Sequence, residues 1–98
     1  MLNQIVLVGR LMETPVVEEG KVNVTIAVPR SFKNEAGEYE TDFIPVTLFN
    51  GVATNTAEYC KKGDMVGVKG RMQSVEGKLE LVAEKVTFLT SSRKSENE

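Results

Sequence analysis

Aromatic rings and cations interleaved on strand-like stretches are the side chains of this sequence with chemistry to offer. Phe43 and Phe49 lie in a segment, Tyr39 to Phe49, in which Ile44, Val46 and Leu48 occupy the alternate positions. On a strand that spacing puts the aliphatic set on one face and Phe43, Pro45, Thr47 and Phe49 on the other. An antiparallel strand normally turns an apolar face inward and a polar face out, so phenylalanines of the opposite parity need an explanation. One explanation is stacking, since an exposed ring face can carry another flat π-system. Phe32, between Arg30 and Lys33, would extend such a surface. Lys69 and Arg71, two residues apart on a later alternating stretch, and Arg10, at the end of an early apolar run, would supply charge for phosphates. The other explanation is plain packing of the rings against a helix, a loop or another subunit, with the cations as solvated surface. Residue types alone leave both open.

Several chemistries are disfavoured at once. The chain contains no histidine and a single cysteine, Cys60, so neither the usual zinc-ligand sets nor an internal disulfide can be assembled. The missing histidine also removes the commonest general base near neutral pH and every Ser-His or Cys-His nucleophile. Gly63, Gly67 and Gly70 do not have the spacing of a phosphate-binding loop. Glu58 and Asp64 read as a solvated carboxylate pair, and Cys60, in step with Ala53 and Ala57, reads as a small core residue. No catalytic residue, metal site or cofactor is expected. No apolar stretch approaches bilayer length, and Met1-Leu2-Asn3-Gln4 lacks the features of a signal peptide, so the expected location is the cytoplasm.

The net charge of −2 runs against a nucleic-acid partner, whose footprint is normally basic. The acids, however, gather at Glu13, Glu18 and Glu19 and again at Glu35, Glu38, Glu40 and Asp42, whereas the cations named above lie on or beside apolar patterns. Acids and cations are therefore expected to separate onto different faces.

The elements that must position these groups follow from periodicity. Ile5-Val6-Leu7-Val8 is a continuous branched apolar run, read as a strand buried on both sides and followed by a bend at Gly9. Met12 to Lys21, with Pro15 and Gly20, is a loop; Val22, Val24, Ile26 and Val28 then alternate with Asn23, Thr25, Ala27 and Pro29 as a second strand. The polar segment from Lys33 to Glu38 leads into the third strand. Asn50 is placed as the N-cap of a short helix, with Lys61 and Lys62 in its last turn and Gly63 as its cap. Val66, Val68 and Met72 mark a fourth strand, and the tight turn Glu76-Gly77 leads into a fifth from Lys78 to Leu89. Strand, strand, strand, helix, strand, strand is the order of an all-β, five-stranded, partly open Greek-key barrel, the OB-fold, with its helix between strands three and four. Residues 1–90 form this one domain and 91–98 a short polar tail.

On such a barrel, outward aromatics among basic side chains are what binding of single-stranded nucleic acid without sequence preference requires. Asn3 to Leu11, Val46-Thr47-Leu48-Phe49, Ala57-Glu58-Tyr59, Lys61-Lys62-Gly63-Asp64 and Val68-Lys69-Gly70-Arg71 together resemble the bacterial single-stranded DNA-binding protein family, SSB. The resemblance spans nearly the whole chain up to the tail. It implies that Phe32, Phe43 and Phe49 stack bases, although two of these positions are tryptophan in much of the family. It implies coating of exposed single strands in replication, recombination and repair, and a homo-oligomer, foremost a homotetramer of paired dimers, with a dimer as the smaller alternative. Two departures stand out. The hairpin between strands four and five, long and aromatic in the family, is here only Ser74-Val75-Glu76-Gly77-Lys78, which puts the tetramer and the length of bound strand in question. The resemblance also implies a flexible tail with an acidic tip that recruits replication and repair proteins, whereas this sequence stops at Ser95-Glu96-Asn97-Glu98, as either a truncated piece or a short variant lacking that recruitment. A competing reading is an OB-fold assembly module similar to primosomal accessory proteins; a nuclease would need clustered carboxylates, which the sequence places in loops.

Overall fold

Every strand earns its place by branched or aliphatic side chains at alternate positions, and the order of elements is the one expected. The structure, a computed structural model, describes residues 2–89; the polar tail 91–98 lies outside the described residues. β1 runs over Ile5–Leu11, β2 over Lys21–Lys33, β3 over Tyr39–Phe49, α1 over Asn50–Tyr59, β4 over Met65–Val75 and β5 over Lys78–Phe88. The strands close into a barrel in the order β1-β2-β3-β5-β4. β1 bridges β2 and β4, β2 and β3 form a long hairpin, and β4 and β5 form another, all antiparallel. Closure rests on one parallel bridge, Thr47 to Val82, between β3 and β5.

The core is the inward parity of each strand: Val22, Val24 and Ile26 on β2, Val46 and Leu48 on β3, Val66 and Val68 on β4, and Leu81 and Ala83 on β5. Each fully buried side chain of this kind contributes roughly 1.5–3 kcal/mol relative to exposure. α1 caps one end, inserting Ala53 and Thr56, and Cys60 joins the core behind it.

Two turns at positive φ set the hairpins. Glu19 and Gly20, at 55° and 74°, return the chain into β2, and Glu76 and Gly77, at 52° and 81°, link β4 to β5. Positive φ at both central residues matches the strands' own twist, which is why two residues suffice.

Four expectations need correction. β1 is not buried on both sides: Ile5 and Leu7 pack on the core, but Val6 and Val8 are 67% and 51% exposed. In a closed barrel the neighbours of a strand bond to its edges, and no layer covers its outer face. Asn50 is not the N-cap. Phe49 holds that position, and Asn50 opens the helix at φ 54°, its N–H donating to the Gly20 carbonyl. Asparagine tolerates that backbone region better than most residues. Finally, the helix stops at Tyr59, so Lys61 and Lys62 lie beyond it and Gly63, at φ 93°, belongs to the turn into β4. Asp64 is buried there rather than solvated, its carboxylate accepting the Lys61 N–H at 3.0 Å.

Strand packing around the barrel leaves no room for a side chain at two glycines. A Cβ on Gly9 would strike the Ala27 carbonyl, and one on Gly70 the Val82 carbonyl. Gly70→Ala is therefore expected to lower stability by about 1–3 kcal/mol, read as a lower denaturant midpoint with an unchanged slope. The Cys60 thiol is pushed up to about 11, first by burial and then by the charge of Asp64. Its folded value lies above the ordinary 9.0, so its contribution to stability is complete below about pH 9 and is lost as pH rises toward 11. Cys60→Ala should flatten that part of the stability profile, measured by denaturation between pH 8 and 11.

Candidate nucleic-acid interface

The β2–β3 ladder builds the outer face. Lys21 stands across from Phe49, Asn23 from Thr47, Thr25 from Pro45 and Ala27 from Phe43. All have the parity opposite to the core set, so they line one surface. Phe43 and Phe49 are 59% and 36% exposed, and Phe32, at the far end of β2, is 65% exposed. Six positions separate the two β3 rings, a span of about 20 Å, or no more than about six stacked bases. The floor between them is low and mostly neutral, with the Thr47 hydroxyl donating to Asn23 Oδ1 at 3.1 Å.

The cations are distributed unevenly about this strip. Arg10 stands across from Ala27, which itself faces Phe43, so Arg10 lies two strand spacings, about 10 Å, from that ring's position. Its guanidinium donates to the Gly63 carbonyl at 3.0 Å. Arg71 stands across from Val82, which bridges to Thr47, and so borders the strip from the other side. A register shift between Lys69 and Gly70 leaves Glu84 without a partner across the ladder, and Glu84 meets the Arg71 guanidinium at 3.2 Å. Lys69 is turned elsewhere. It stands across from Val6 on β1 and Lys85 on β5, over a shallow groove shared with Gly67 and Thr87.

Arg30 departs most from expectation, because acids and cations do not separate there. It bonds to Asp42 at 2.9 Å and to Glu40 at 2.8 Å. The hydrogen bond to Asp42 raises the guanidinium further above its ordinary value, and the same bond holds the Asp42 carboxyl below the ordinary carboxylate value. Both groups are exposed, so the pair adds little to stability. Its effect is that Arg30 and its two carboxylates together carry an excess negative charge near Phe32.

Two residues of this face escaped the sequence reading. Tyr39 shares the parity of Phe43 and Phe49, is 61% exposed, and carries the Lys33 ammonium 5.8 Å from its ring centroid. Parity alone would have found it. Lys21 places its ammonium 5.8 Å from the Phe49 ring centroid. That contact depends on the register of β2 against β3, which periodicity does not supply.

Among the described residues no group of three or more His, Cys, Asp or Glu side chains is arranged to hold a metal ion, and no helix is long and apolar enough to cross a membrane.

Known proteins resemble this chain over most of its length. Single-stranded DNA-binding protein B of Bacillus subtilis strain 168 is 48% identical over 79 residues, covering 76% of this chain and 70% of that protein. Single-stranded DNA-binding protein 1 of Clostridium acetobutylicum is 39% identical over 109 residues, covering 96% of this chain and 99% of its own length. A single-stranded DNA-binding protein of Halalkalibacterium halodurans is 42% identical over 103 residues, with 91% of this chain matched to 61% of the relative. The sequence model of the single-strand binding protein family matches residues 2–89, the whole of the barrel, and the chain belongs to that family.

Proposed function

We propose that this protein binds single-stranded DNA without sequence preference, stacking bases on Phe32, Phe43 and Phe49 while Arg10, Arg30, Lys33, Lys69 and Arg71 meet phosphates. The observation that carries the reading is the pair of exposed rings, Phe43 and Phe49, on the outward parity of β3, with exposed Phe32 near the far end of β2, in a chain of the single-strand binding family. Stacking ignores base identity because every base has a π-face, and phosphate contacts ignore it because the backbone is uniform. A duplex keeps its bases paired and withholds them from the rings. The role is passive coating of exposed strands in replication, recombination and repair, without catalysis, at the nucleoid in the cytoplasm.

The protein works as a homo-oligomer, foremost a homotetramer. The exposed Val6 and Val8 on the outer face of β1 favour association, since water gains by their burial. Several copies would place several aromatic strips around one strand.

Geometry ranks the cations. Arg10 has no carboxylate partner among the described residues, whereas Arg30 is shared by two carboxylates and Arg71 by one. Lys69 serves a segment of strand passing over β1 and β4, away from the rings.

Anisotropy of a labelled oligo-dT across a salt series, beside a matched duplex, tests the reading. Tight binding to the single strand alone, weakening steeply with salt, is the expected result. Phe43→Ala and Phe49→Ala should each cost ~1–3 kcal/mol of binding with the oligomer intact. Dissociation of the oligomer before any loss of binding would instead favour an assembly module. Asp42→Asn combined with Glu40→Gln releases Arg30, and should steepen the salt dependence by up to about 0.7 in log–log slope, one phosphate's worth.

A further inference from the structure

The geometry points to Lys21 as a further strand-gripping residue, one that hands the Phe49 ring to a base and takes that nucleotide's phosphate; this rests on the proposed single-strand binding. Lys21 is locked across from Phe49 by the β2–β3 ladder, and its ammonium lies over the ring at 5.8 Å from the centroid. That separation is near the outer limit of an attractive cation–π contact, so the ammonium is held loosely. Lys21 forms no ion pair with a carboxylate among the described residues, and its nearest neighbours on the strip, Asn23 and Thr47, are neutral. By contrast Arg30 and Arg71 are already balanced by acids.

The backbone around the pair is pinned. The Asn50 N–H donates to the Gly20 carbonyl at 2.8 Å, tying the residue after Phe49 to the residue before Lys21. The two side chains therefore share one rigid base while the ammonium remains free to swing. Phe49 is the least exposed of the three phenylalanines, at 36% against 59% and 65%. A base settling on its face displaces the ammonium, which leaves a weak contact with the ring for a stronger one with the phosphate entering beside it. The charge is lost from neither place at once, because the incoming nucleotide brings both the π-system and the anion.

Salt-series titration of labelled oligo-dT with Lys21→Met, Lys21→Arg, Phe49→Ala and Lys21→Met/Phe49→Ala tests this. Methionine keeps an apolar stem over the ring and removes the charge, so folding is preserved, with thermal unfolding as the control. The expected result is a salt slope shallower by about 0.7 for Lys21→Met, restoration by Lys21→Arg, and a double variant that loses less than the two singles together. A wild-type slope and affinity for Lys21→Met, alongside a clear loss for Phe49→Ala, would overturn the assignment and leave single-strand binding standing. Failure of the unsubstituted protein to bind would overturn both.

Discussion

The ladder between β2 and β3 is the contact on which the rest of the molecule depends. One register decides at once that Val22, Val24, Ile26, Val46 and Leu48 meet inside and that Lys21, Asn23, Thr47, Phe43 and Phe49 meet outside. A shift of one residue would exchange the two sets, exposing the core and burying the rings. Core and interface are thus two faces of one hydrogen-bonded pair of strands. The hydrophobic effect that holds the inner face also holds the outer one flat and in place, without any contact among the aromatics themselves. Closure at the single Thr47–Val82 bridge adds β5, and with it Arg71, to the border of the strip.

An acidic chain can present such a face because charge acts locally at these distances. Beyond roughly 10 Å, salt at physiological strength screens one surface group from another. The glutamates of the loop before β2 therefore weigh little on a strand lying over Phe43. What matters is the pairing beside the rings. There Arg30 is spoken for by Asp42 and Glu40, while Arg10 and Lys21 carry charge with no carboxylate against them among the described residues. The proposed binding face is consequently less positive than its inventory of lysines and arginines suggests, and on the proposed reading stacking carries a correspondingly larger share.

Much of this was legible in the sequence, and the limits have physical causes. Strict alternation in β2 and β3 identified the strands, their inward sets and the outward phenylalanines, because a half-buried strand leaves a period of two. In β1 the alternation is hidden: Val6 and Val8 are as apolar as Ile5 and Leu7, so nothing in residue type distinguished the exposed face. At Asn50 the capping preference pointed to the right place and the wrong position, since asparagine suits both an N-cap and positive φ. The partner of Phe49 was out of reach for another reason. Between Lys33–Tyr39 and Pro29–Thr41 the ladder shifts by two residues on β2, and a hairpin continued without that irregularity would set Asn23, not Lys21, across from the ring. The pairing of Arg30 with Asp42 and Glu40 lies beside the same irregularity and was hidden with it.

The central claim is that the outward rings of β2 and β3 receive bases. Its most direct test is a nuclear magnetic resonance titration of the protein with oligo-dT, following the ring protons of Phe32, Phe43 and Phe49. Stacking predicts that the phenylalanine ring protons move upfield together, with saturation at one strand equivalent per site. Saturable binding of the oligonucleotide with the three rings unmoved would contradict the account.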